Sequence, residues 1–225
     1  MHVALVPDGN RRWAKEHRVP ALVGHQRGAE AMHNVVDYLI DHQVRYLTVW
    51  GFSTDNRKRS EDEVKNIFNL LRLWIEKDTP WLYKEGVRLK HIGRLHELPS
   101  NLQDVMLTAE DLTRQNSGLT LNLAFNYTGR AEIVDTVRRI ITDGPPIVAS
   151  IDEGFIASYL DTSGMPDVDL VIRTAGEFRF SNFMLWQTAY SELYFTDLLW
   201  PDFTTEELEK ALQNYSERKR RFGGD

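Results

Sequence analysis

Four stretches of this 225-residue chain, His2 to Val6, Tyr46 to Phe52, Leu119 to Phe125 and Leu170 to Ile172, are short apolar runs that each stop abruptly at a polar loop. Runs of this length read as strands covered on both faces, the pattern of a parallel sheet. Gly86 to Ile92 alternates like a half-exposed strand, and Glu192 to Phe195 reads as a last short one. Helical patterns separate the strands, so an α/β fold is predicted, with a central mostly parallel sheet flanked by helices. In such sheets ligands sit beyond the strand C-terminal ends. The loops expected there are Asp8 to Arg12, Ser53 to Arg59, Asn126 to Arg130 and Arg173 to Ser181, and they are expected to converge on one site.

The helices follow from spacing and caps. From His25 to His42, the residues Ala29, Met32, Val35, Val36, Leu39 and Ile40 recur on one helical face. Ser60-Glu-Asp-Glu63 fits a capping box that opens a helix to about Tyr83. Val64, Ile67, Phe68, Leu70, Leu71, Leu73, Trp74 and Ile75 cover more than one side of it, which predicts a helix that is largely buried or lines an apolar cavity. Further helices are expected from Leu98 to Gln115, Ala131 to Ile141, Ile151 to Leu160 and Thr204 to about Arg220. The run Phe183-Met-Leu-Trp186 suggests another, starting near Asn182. Gly144-Pro-Pro146 marks a loop with no composition shift around it, so one domain over 1–225 is expected.

The two arginines Arg173 and Arg179, with Ser181, follow the Leu170 run within a short Gly-containing loop. Planar, permanently charged forks beside a hydroxyl suit a phosphate, and the helix start expected at Asn182 would add N–H groups. A surface loop with Glu177 salt-bridged to either arginine is the competing reading. Asp8-Gly9-Asn10 is equally compatible with an ordinary turn. The chain carries no cysteine, which excludes disulfides, thiolate metal sites and a cysteine nucleophile. Its net charge of −6 argues against a nucleic-acid partner, so any anion site must be local. With no apolar run of membrane-spanning length and no signal-like N-terminus, a cytoplasmic location is expected.

Taken together, His2-Val-Ala-Leu-Val-Pro-Asp-Gly-Asn-Arg-Arg-Trp-Ala-Lys15, Gly24-His25, Phe52-Ser-Thr-Asp-Asn-Arg-Lys-Arg59 with Glu63, Leu121 to Tyr127, Arg173 to Gln187, Ala189 to Phe195 and Arg221-Phe-Gly223 resemble the cis-prenyltransferases of the undecaprenyl diphosphate synthase type. Neither a P-loop nor an Asp-Asp pair is present, which sets aside nucleotide and trans-prenyltransferase motifs. The resemblance implies condensation of isopentenyl diphosphate with an allylic diphosphate to build a polyprenyl diphosphate, with Mg²⁺ as cofactor. It further implies a homodimer and a hydrophobic tunnel between the sheet and the two helices at about 25–42 and 61–83, with peripheral membrane association through the lipid product.

The implied site residues follow by motif. Asp8 would be the magnesium-linked carboxylate, with Glu192 as a second metal-linked acid. Gly9, Asn10, Arg11, Arg12, Trp13 and His25 would hold the allylic diphosphate. Ser53, Asn56, Arg59, Arg173, Arg179 and Ser181 would hold isopentenyl diphosphate. Asp8, Asn56 and His25 stand at positions linked to catalysis, while Glu192, Arg221 and Gly223 match the interface through which one chain completes its partner's site. Three departures stand out: Arg57 where tryptophan is frequent, Ala21 where long-chain bacterial enzymes often carry arginine, and Phe178 at a commonly polar position. Leu119, near the expected tunnel floor, suits a long product, while Trp50 and Phe125 could narrow the path toward a short or medium one. A non-catalytic partner subunit of the same fold is the alternative from another class.

Overall fold

The computed structural model describes residues 1–144 and 150–218. Pro145, Pro146, Arg221, Gly223 and the end of the terminal helix expected near Arg220 lie outside them. Six strands form one sheet: β1 (His2–Val6), β2 (Tyr46–Phe52), β3 (Arg88–Ile92), β4 (Thr120–Phe125), β5 (Leu170–Arg173) and β6 (Glu192–Phe195). Their order is β3-β4-β2-β1-β5-β6 and every pairing is parallel. The helices are α1 (Asn10–Glu16), α2 (Ala21–Asp41), α3 (Glu61–Lys84), α4 (Ser100–Thr113), α5 (Gly129–Thr142), α6 (Glu153–Tyr159) and α7 (Thr205–Ser216).

Every residue of β1 is buried because the sheet is covered on both sides, and successive side chains point to opposite faces. Val3 and Leu5 join a large cluster with Val35, Val36 and Leu39 of α2, whereas Ala4 and Val6 join a smaller one with Val171, Phe183 and Met184. Each apolar run is thus continuous in sequence and split in space. The parallel arrangement aligns the C-terminal ends of β1, β2 and β5 along one edge, where Val6 stands opposite Arg173.

The local chemistry explains most boundaries. Ser60 caps α3 by accepting from the Glu63 amide at 3.4 Å, and Thr204 caps α7 by accepting from the Glu207 amide at 3.4 Å. Glu63 does not close its box, since its carboxylate turns instead to Arg59 and Arg11, at 3.1 and 3.6 Å. The reciprocal box forms one loop earlier: Ser53 Oγ accepts from the Asp55 amide, Asn56 Oδ1 accepts from the Ser53 amide, and a 3-10 turn follows over Thr54–Lys58.

One expectation fails on backbone grounds. No helix starts near Asn182: Ser181, Asn182 and Met184 have φ of 50°, 69° and 44°, left-handed values that cannot propagate a right-handed helix. No helix N-terminus therefore adds N–H groups to the Arg173 to Ser181 loop. Conversely, the Asp8-Gly9-Asn10 turn feeds directly into α1, with Gly9 at φ 113° as its N-cap.

Candidate active site

Three of the four expected loops meet. Asp8 to Arg12, Ser53 to Arg59 and Arg173 to Ser181 wall a cavity of about 530 Å³ at the C-terminal edge of β1, β2 and β5. Its lining includes Asp8, Gly9, Asn10, Arg11, Arg12, His25, Ser53, Asn56, Arg59, Arg173, Arg179 and Ser181, together with Trp50, Asp55, Ile67 and Glu177. The fourth loop stands behind it: Asn126 bonds to Arg57, Arg94 and Glu97, and Thr128 touches Thr54 at 3.4 Å.

Arg173 is the pivot. It ends β5 at 3% exposure, and its Nε and Nη2 donate to Asp8 Oδ2 at 3.0 and 2.7 Å. Its Nη1 donates to Ser181 Oγ at 2.9 Å and to the Arg179 carbonyl. A guanidinium this enclosed demands such partners, because an unpaired charge there would cost several kcal/mol. Around it, Glu177 accepts from Arg12 Nη2 at 3.0 Å and from Arg179, so the salt-bridge reading of this loop holds for Arg179 and fails for Arg173, whose carboxylate partner is Asp8. The bond from Arg179, followed by that from Arg12, holds the Glu177 carboxyl below its ordinary range. Five arginines face three carboxylates across the lining, which leaves the cavity cationic in a chain that is anionic overall.

His25 lies in the second turn of α2, beside the Asn10 end of α1. The helices come together there because Gly24 has no side chain: a Cβ on it would stand 2.2 Å from the Asn10 carbonyl oxygen. Burial, and then the positive charge of Arg59, pushes the His25 pKa down, so its ring is neutral at neutral pH. Its Nε2 and Asn10 Oδ1 are buried polar atoms without a protein partner. Asn10 Oδ1 lies against Gly28, where a Cβ would stand 2.2 Å from it, whereas His25 lines the cavity and its Nε2 is open to a ligand or water.

Some expected residues stand elsewhere. Trp13 turns away from the cavity, stacking on His17 and donating to Asp202 Oδ1 at 2.8 Å. Glu192 begins β6, opposite Leu170 at the N-terminal end of β5, and pairs with Arg218 at 2.6 Å. A single chain therefore cannot bring Asp8 and Glu192 to the same ion. Among the described residues no cluster of three His, Asp or Glu side chains could hold a metal. Asp8 alone still fits Mg²⁺, which commonly takes one or two carboxylates, several waters and substrate phosphates. Its Oδ2 is engaged by Arg173, and 42% of the Asp8 side chain remains exposed. The pattern reading passed over Asp55 as a wall residue and did not assign Glu177 or Glu63 to the site. The signal for all three lay in the arginines, since so many cations at one edge require nearby counter-charges.

A second opening adjoins the first. About 330 Å³ lies between the starts of α2 and α3, lined by Pro20, Ala21, Leu22 and Leu70 together with Ser60, Glu63 and Asn66, and it shares Arg11, His25 and Ile67 with the cationic cavity. Trp50 stacks on Phe183 at 5.0 Å in the smaller cluster and Phe52 on Phe125 at 5.2 Å in the larger one, and of these four rings Trp50 and Phe52 line the cationic cavity.

Comparison with known proteins gives this arrangement its context. The family described as putative undecaprenyl diphosphate synthase matches residues 6–223. The isoprenyl transferases of Fusobacterium nucleatum and Aquifex aeolicus are each 46% identical over 99% of this chain and 95% of their own length. The lavandulyl diphosphate synthase of Lavandula x intermedia, solved with dimethylallyl diphosphate, superposes with a TM-score of 0.95 at 36% identity, covering 99% of this chain and 97% of that one. A probable undecaprenyl diphosphate synthase from Campylobacter jejuni gives 0.83 at 30% identity, with the same coverage. With the fold, the family match and the relatives in agreement, the chain belongs to the undecaprenyl diphosphate synthase family and is a prenyltransferase.

Proposed function

We propose that this protein elongates a prenyl chain in cis, joining isopentenyl diphosphate to an allylic diphosphate and releasing diphosphate, to give an undecaprenyl-like lipid-carrier precursor. The observation that supports the proposal is the adjacency of two spaces: a cationic cavity around Asp8 and Arg173, and beside it an opening between α2 and α3 that shares Arg11, His25 and Ile67 with it and presents Leu22, Ile67 and Leu70 next to Ser60, Glu63 and Asn66. A diphosphate needs the first and a growing hydrocarbon needs the second. Arg11, Arg12 and the Gly9-Asn10 turn would hold the allylic diphosphate, while Arg173, Arg179, Ser181, Ser53, Asn56 and Arg59 would hold isopentenyl diphosphate. As the allylic C–O bond breaks, charge builds on the departing oxygens, and fixed guanidinium donors stabilise it without reorganising. Mg²⁺ held through Asp8 would supply further charge neutralisation on the diphosphate. Neutral His25, with Nε2 unpartnered, can orient a phosphate or take part in moving a proton.

Assembly as a homodimer is part of the same reading. β6 is an edge strand, all four of its residues are half-buried, and Phe178 is 73% exposed against Phe195. A second copy would cover that edge, and Glu192 with Arg221 and Gly223 would then complete the neighbouring site. No helix among the described residues is long and apolar enough to cross a membrane, so membrane contact would be peripheral, through the product. A short- or medium-chain product is the second reading, in keeping with the likeness to the lavandulyl diphosphate synthase solved with dimethylallyl diphosphate.

Purified protein with Mg²⁺, labelled isopentenyl diphosphate and a panel of allylic primers, with products sized by mass spectrometry, tests both. A ladder ending at long chains supports the first reading, one or two additions the second, and a folded dimer that makes nothing from any primer sinks the proposal. Asp8 is the decisive variant, yet it is not the free loop carboxylate that a sequence suggests. Its loss would strip Arg173 of a counter-ion, costing up to about 3 kcal/mol, below the full value for an enclosed pair because Asp8 is partly exposed. Asp8→Asn keeps an oxygen toward Arg173 while removing the charge, and it should lose at least about a hundredfold in kcat while remaining folded.

A further inference from the structure

The loop that brings Ser53, Asn56 and Arg59 to the cavity is fastened from behind by Arg57, a side chain absent from the cavity wall. Arg57 Nε donates to Asn126 Oδ1 at 2.9 Å, and its Nη2 donates to the Glu97 carbonyl at 3.0 Å and stands 3.3 Å from Glu97 Oε2. The receiving end is itself hydrogen-bonded. Asn126 is fully buried at φ 54°, and its Nδ2 donates to the Arg94 carbonyl and to Glu97 Oε2, both at 3.0 Å. Most other polar contacts of the loop are internal or to the next turn: Ser53 with Asn56, Asp55 with Lys58, Arg59 with Glu63. Thr54 adds one longer contact to Thr128 at 3.4 Å.

We propose that Arg57 is a positioning residue whose fork latches the Ser53 to Arg59 loop onto Asn126 and Glu97 and thereby sets the geometry of the isopentenyl diphosphate half of the site. The inference rests on the function proposed above. One guanidinium holds both acceptors from a rigid planar fork, whereas a lysine ammonium offers mobile donors on a flexible stem and an indole a single N–H. Its loss would leave Ser53, Asn56 and Arg59 in place on average but less fixed, and small misplacements of binding groups weaken catalysis far more than they weaken folding.

The test compares wild type, Arg57→Ala, Arg57→Lys and the double variant Arg57→Ala/Glu97→Gln. Steady-state rates are measured with each substrate varied in turn, alongside hydrogen exchange of residues 53–59 and the thermal midpoint. Arg57→Ala should raise the KM for isopentenyl diphosphate roughly tenfold, with the allylic KM within about twofold. Exchange in the loop should accelerate while the midpoint stays within about 3 °C. Arg57→Lys should recover only part of the effect, and adding Glu97→Gln should raise the KM little further, because the two residues act as one latch. An unchanged isopentenyl diphosphate KM would overturn the proposal, as would both KM values rising together with a falling midpoint. If wild type itself yields no product, the function reading fails, and the exchange comparison still decides the latch: equal exchange in wild type and Arg57→Ala overturns it.

Discussion

α2 and α3 both begin beside the cationic cavity, run for 21 and 24 residues and carry an apolar face, yet they are used differently. α2 presses Ala31, Met32, Val35, Val36 and Leu39 into the main core at 8% exposure or less. α3 buries nothing before Ile75, although Val64, Ile67, Phe68, Leu70, Leu71 and Trp74 precede it, each only half-buried. One helix spends its hydrophobic residues on stability, while the other holds a strip of them only partly covered beside a diphosphate-sized cavity. Apolar surface left half-covered in this way costs stability, and its position suits a hydrocarbon ligand that would cover it.

The contrast is breakable, and the largest effect should come from α2. Leu39→Ala removes a side chain with no exposure and should cost about 3 kcal/mol, with the cavity left behind adding to the lost burial. Denaturant unfolding would measure it, and the product distribution should not change. On α3 the outcome should reverse. Leu70→Trp fills the opening between the helices, so it should alter stability by less than about 1 kcal/mol while shifting products to shorter chains. A product ladder identical to wild type would remove α3 from the chain path.

The smallest effect concerns His25, where the two helices meet the cavity. Its folded-state pKa is lowered, first by burial and then by Arg59 and Arg11, so the unfolded chain takes up its proton first as pH falls. The stability tied to its neutral ring is present above about pH 6.5 and is lost as pH drops through the lowered folded value. His2 and His91 are lowered by burial in the same sense, so His25→Gln should flatten the acid-side fall of the thermal midpoint without abolishing it. A slope equal to wild type would mean that His25 is not buried in solution.

Much of this was legible in the residues. The strands stood out because burial on both faces leaves continuous apolar runs, and Pro7, Ser60 and Thr204 mark boundaries by chemistry that acts within a few residues. The Asp8 and Arg173 loops could be placed at the ligand edge because loops that follow the apolar runs of a parallel sheet fall there, while the role of Asp8 came from the resemblance. The helix expected at Asn182 was misread because its apolar pattern is real, yet three left-handed residues fold it into turns packed under Trp50. The loop from Asn126 to Arg130 was also misjudged. Composition suits it to an anion, but Asn126 is consumed by Arg57 and Glu97.

What the chain carried on its face was therefore whatever depends on near neighbours: periodicity, caps, turns and the order of strands and loops. Which arginine meets which carboxylate depends on residues up to 165 positions apart, as Asp8 and Arg173 are, and no local rule reaches that far. The same holds for the helix that stays half-open. Val36 and Leu71 are equally apolar, and only the packing of the sheet leaves one sealed and the other available.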